Sequence, residues 1–142
     1  MSSLTSPRGI RNNNPGNLRP GPAWLGLAAP ASDGGPGGGY ARFTSPYYGI
    51  RALAINLRNY DKKHGLRTVR GVINRWAPPV ENNTSAYVTA VAKALGVGPD
   101  ATINTADPAV LAKLVTAIIK HENGQQPYTD AEILTGVKAA LA

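Results

Sequence analysis

The chain of 142 residues contains no cysteine, and only eight of its residues are acidic. Without cysteine, neither disulfides nor thiolate–metal bonds can hold the fold or carry chemistry. The two histidines, His64 and His121, are too few and too scattered for a zinc site, so neither a metal nor a cofactor is expected. No stretch approaches the ~20 apolar residues of a membrane-spanning helix. The start, MSSLTSPRGIRNNN, lacks the apolar middle of a secretion signal, so the chain is expected to stay where it is made unless other machinery carries it.

Fifteen lysines and arginines outweigh the few acids, giving a net charge of +7 and a pI near 10.0. That balance favours polyanionic surroundings, either nucleic acid or an anionic bacterial envelope. The basic residues are dispersed, with short clusters only at 62–64 and 67–70. No dense basic run or arginine–aromatic alternation is present, so nucleic acid is not the expected partner. An apolar fraction of 42% over this length suits one compact domain spanning 1–142, with residues 1–7 expected to be a flexible terminus.

Residues 1–45 are rich in Gly, Pro and Asn and lack a regular period. Within them, 28–39 has the composition of a flexible linker. It is flanked by Trp24-Leu25-Gly26 and Tyr40-Ala41-Arg42-Phe43, which are expected to pair as a small hairpin. From Ser45 onward the apolar spacing turns helical. Ile50, Leu53, Ala54, Leu57 and Tyr60 form one face, ending at Gly65. A short helix from Thr68 to Trp76 is stopped by Pro78-Pro79, and a third is expected to be capped by Thr84 and closed by Gly96. The segment DPAVLAKLVTAIIKHENG combines a capping Asp107, Pro108 at the first helical position and an exit at Gly124. Thr129 to Glu132 reads as a capping box before the last helix. The expected fold is therefore mainly α (α+β): about five helices with a small β-hairpin.

Four polar groups stand out on this scaffold. Glu122 lies four residues after Ile118, at the rim of an apolar face where a carboxyl is partly desolvated, a setting that general acids use. Gln125 and Tyr128 follow the helix end and are expected near it. The run from Arg11 to Arg19 holds asparagines 12, 13, 14 and 17 around Pro15-Gly16. It reads either as a well-capped loop or as an amide platform facing a hydroxyl-rich ligand such as a sugar. The aromatics Trp24, Tyr40, Phe43, Tyr47 and Tyr48 surround the Gly-rich segment and suit either stacking on sugar faces or covering the core. Glu81, just before a helix, and Asp33, in the Gly-rich segment, are the candidate second carboxylates.

The ordered set RGIRNNNPGNLR, Trp24-Leu25-Gly26, YARFTSPYYGIRALAINLRNY, RWAPPVENNTSAY and HENGQQPY resembles a family of phage-encoded, lysozyme-like peptidoglycan-cleaving proteins. The resemblance covers roughly residues 8–134. In the related lytic transglycosylases the catalytic Glu ends a core helix that precedes the Asn-rich motif. Here that helix stands at the far end of the chain, which suggests a circularly permuted order. The resemblance implies Glu122 as catalytic acid, with Asn14 and Asn17 in the sugar-facing motif and Tyr87 toward the cleft. Asn13, Tyr40, Gln125 and Tyr128 complete the expected substrate-binding set. Asn123 departs from the family's usual Ser. The implied activity is cleavage of peptidoglycan glycan strands at the MurNAc–GlcNAc bond. The chain would be carried in a virion, among other virion proteins, or reside in the host cytoplasm, and would act in the periplasm. Two alternatives are a non-catalytic virion component and a basic nucleic-acid-binding regulator.

Overall fold

A computed structural model describes residues 6–79 and 83–142. The expectation for Glu81 falls outside the described residues. Six helices and one two-stranded antiparallel sheet make up the described fold, so it is mainly α with a small β element. In chain order these are α1 (Arg8–Arg11), β1 (Leu27–Ser32), β2 (Ala41–Phe43), α2 (Pro46–His64), α3 (Val69–Trp76), α4 (Thr84–Leu95), α5 (Pro108–Asn123) and α6 (Asp130–Leu141). Among the described residues no helix is long and apolar enough to cross a membrane.

The helix boundaries follow local chemistry. Asp107 accepts from the Ala109 amide, Pro108 opens α5, and Gly124 ends it at φ 70° in the left-handed region. Thr129 and Glu132 form a reciprocal capping box on α6. One boundary differs from expectation. Asn83 caps α4, while Thr84 sits inside the helix and its hydroxyl donates to the Ala77 carbonyl.

The core lies where α2 meets α5 and α6, built from Ile50, Leu53, Leu57, Leu111, Leu114 and Ile118 among others, all fully buried. Each such side chain contributes roughly 1.5–3 kcal/mol. Gly136 lets α6 approach α2, because a Cβ there would stand 2.6 Å from Ile50 Cγ2. A smaller cluster of Leu18, Ala41, Phe43 and Ala52 seats the hairpin on α2, and Trp76 packs against both clusters.

The N-terminal third departs most from the sequence reading. The four-residue α1 is too short to leave a period. The hairpin pairs Leu27 with Phe43 and Ser32 with Ala41, with an irregularity between them, so β1 occupies much of the segment read as a linker. The cause is Asp33. Its carboxylate accepts from Arg8 (Nη2, 2.7 Å), Asn12 (2.9 Å), and the Gly35 and Tyr40 amides (3.1 and 2.9 Å). Bonds to partners more than twenty residues away fix a segment whose composition alone suggests flexibility.

Candidate functional site

The asparagine-rich turn is built by its own amides. Asn13 and Asn17 both adopt φ 52°, a conformation asparagine tolerates better than other side-chain-bearing residues. Asn13 donates to the Phe43 carbonyl at 3.1 Å. Asn14 is fully buried and saturated. It donates to the carbonyls of Leu18 (3.0 Å) and Ala41 (2.9 Å) and accepts from the Leu18 amide. Asn14 therefore ties the turn to β2 and faces no ligand, which corrects the sugar-facing expectation for it. Asn12 serves Asp33. Of the four asparagines, only Asn17 turns its amide toward the end of α5.

There it meets Glu122. Asn17 Nδ2 donates to Glu122 Oε1 at 3.3 Å, although 105 residues separate the two in sequence. The adjoining Asn123 fastens the same joint, donating to the Pro15 carbonyl and to the Ile119 carbonyl, both at 2.9 Å. Gly9 explains how closely the pieces fit. A Cβ on it would lie 2.7 Å from Asn123 Oδ1 and 2.8 Å from Asn17 Oδ1, so only glycine lets α1 pack here. The end of α5 and the turn near the start of the chain thus form one surface.

The second oxygen of Glu122 is held from α4. Tyr87 donates from its hydroxyl to Glu122 Oε2 at 2.8 Å, and Trp76 Nε1 donates to the Tyr87 oxygen at 3.0 Å. Burial, followed by the charge of Glu122, pushes the Tyr87 phenol far above its ordinary range. Tyr87 therefore stays protonated and remains a donor to the carboxylate. It is only 2% exposed, so it positions Glu122 and does not line an open cleft. The exposed His121 ring stacks on it with centroids 3.7 Å apart. Glu122 itself is half-buried.

The remaining expected residues are dispersed. Gln125 is exposed just beyond the helix end. The Tyr128 hydroxyl is buried without a hydrogen-bond partner, and burial with the nearby Glu132 charge pushes it up to about 12. The hydroxyl is turned away from solvent, while the residue as a whole is half-buried. Tyr40 lies beside the turn, with the guanidinium carbons of Arg8 and Arg19 at 4.4 and 4.3 Å from its ring centroid. Asp33 is no free nucleophile. The Arg8 guanidinium, aided by the Tyr40, Asn12 and Gly35 donors, holds its carboxyl far below the usual range. Sequence reasoning missed Trp76, His121 and Asn123. Trp76 carried one usable signal, since a half-buried indole N–H needs an acceptor and Tyr87 opens a buried face nearby.

Comparison with known proteins gives the chain a relative. Protein P5 of Pseudoalteromonas phage PM2 is 39% identical over 140 residues, covering 91% of this chain and 79% of that protein. The chain belongs to the family of this phage protein. No family model matches it.

Proposed function

We propose that this member of the phage Protein P5 family cleaves the glycan strands of peptidoglycan as a lytic transglycosylase, with Glu122 as acid and then base. The observation carrying this reading is the meeting of Glu122 with Asn17 and Tyr87 in one half-buried cluster. The permuted lysozyme-like order requires that meeting. Hydrolysis by paired carboxylates needs a second acid about 5–9.5 Å away. Asp33, the candidate within the described residues, is fully engaged by Arg8, Asn12 and two amides. A one-carboxyl route fits this better.

In that route Glu122 gives its proton to the glycosidic oxygen as the bond from C1 of the muramyl residue breaks. The carboxylate then takes the proton of the C6 hydroxyl of the same residue while that oxygen attacks C1. A 1,6-anhydro bond forms and no water is consumed. Tyr87 holds Oε2 throughout, so the transferable proton belongs on Oε1, where the longer Asn17 contact is the easier one to open.

The test is turbidity loss of purified sacculi, with product masses. The wild type is expected to release anhydro-muropeptides. Glu122→Gln, which keeps the shape, is expected to reduce release at least 100-fold while the melting temperature stays within a few degrees. Undiminished lysis by the variant would exclude Glu122. An inert wild type would leave a non-catalytic virion component as the better description.

A further inference from the structure

The proposed reaction leaves unused the arginine that leaves the asparagine turn. Arg19 is exposed, and no carboxylate pairs with it among the described residues. Arg8, the other guanidinium on Tyr40, is already matched by Asp33. Arg19 is nevertheless held in place. Its guanidinium lies 4.3 Å from the Tyr40 ring centroid, and its Nη1 donates to the Gly39 carbonyl at 3.0 Å. Tyr40 is fixed in turn by its own amide on Asp33 and by Arg8. Four of the five guanidinium N–H donors remain available, a planar fork suited to a carboxylate.

Two further features describe the surroundings of this fork. The facing loop, 36–39, is Pro-Gly-Gly-Gly, and a Cβ on Gly37 would stand 3.8 Å from Arg19 Nη1. Of these glycines only Gly37 comes near the guanidinium, and its φ of 69° itself favours glycine. Arg19 also follows Asn17 by two residues, a separation of at most ~7 Å along the backbone, and Asn17 touches Glu122. The fork and Glu122 are thus both tied to one turn, Arg19 directly and Glu122 through Asn17.

We infer that Arg19, braced on Tyr40, forms a subsite for the carboxylates borne by the muramyl residues of the strand, that of the lactyl group where no peptide is attached or those of the peptide where one is. This inference rests on the glycan-strand reading above and adds to it a preference for charged, wall-derived glycan over neutral glycan.

Binding separates the two claims. In the Glu122→Gln background, retention on sacculi is measured before and after carbodiimide amidation of carboxylates, and after amidase removal of peptides. Arg19→Ala is expected to weaken binding to untreated sacculi about tenfold, the value of one charge-assisted pair, and Arg19→Lys to recover part of that. Lys63→Ala removes the same charge at the far end of α2 and is expected to cost less than twofold. Amidation is expected to erase the difference that Arg19→Ala makes. Amidase frees a lactyl carboxylate wherever it removes a peptide, so persistence of that difference after treatment would show that the lactyl carboxylate is accepted, and its loss would assign the contact to the peptide. Equal losses for the Arg19 and Lys63 variants, an unchanged difference on amidated sacculi, or no binding to untreated sacculi would overturn the subsite. Absent lysis with the binding contrast intact would remove the transglycosylase reading and leave the subsite standing.

Discussion

Replacing Asn14 with alanine would remove three hydrogen bonds from a fully buried turn, although the Leu18 carbonyl would keep the Ala41 amide as a donor. The expected loss is about 2–4 kcal/mol, read by urea denaturation. A loss below about 1 kcal/mol would show that water replaces the amide. The same residue illustrates what the sequence could tell. Four asparagines around Pro-Gly announced an amide-rich turn, but not the direction of each amide. Asn14 and Asn17 have the same chemistry and sit three residues apart, yet one braces β2 and the other reaches Glu122. That choice is made by β2 and α5, which arrive from remote parts of the chain. Glu122 itself was legible, because an apolar stripe, a lysine on another face and a closing glycine locate a helix end without tertiary information.

At the scale of elements, the helices after α1 and the presence of a hairpin were readable, but the place of its first strand, Leu27–Ser32 and not Trp24–Gly26, was not. Proline starts, capping side chains and glycine exits are local, so α2, α3, α5 and α6 fell where the pattern placed them. The loop between β1 and β2 depends on one carboxylate with distant partners. Asp33→Ala is therefore expected to free 33–40 while the helices persist. Amide exchange at Gly35 and Tyr40 should rise at least tenfold, with α2 and α5 protection unchanged. Because Arg8 holds the Asp33 carboxyl well below the ordinary range, the folded group titrates at lower pH than the unfolded one. Its contribution is present above the unfolded value, near 3.9, and is lost as pH falls toward the depressed folded value. The wild-type loop should thus remain protected at about pH 4 and open only in stronger acid.

For the whole molecule, buried phenols make stability depend on alkaline pH. Tyr128 is pushed up to about 12 by burial and by Glu132, whereas an unfolded tyrosine titrates near 10. Between these values the unfolded chain has released a proton that the folded one retains, so stability is intact below about pH 10 and declines as pH rises toward about 12. Tyr128→Phe removes both this term and an unpaired buried hydroxyl. It is expected to be neutral or slightly stabilising near neutral pH, and to resist unfolding at about pH 11 better than wild type by about 1 kcal/mol, discounted for partial exposure. A variant that loses stability equally at both pH values would place the hydroxyl in a hydrogen bond after all.

The joint between Asn17 and Glu122, reinforced by Asn123 on Pro15, has a bearing on synthesis. A ribosome releases the asparagine turn long before it releases α5. The carboxylate and its amide partner can therefore assemble only after most of the polypeptide has emerged, and a product cut short before residue 122 has no acid to present. If the chain does attack cell walls, the host that makes it is spared by every incomplete copy.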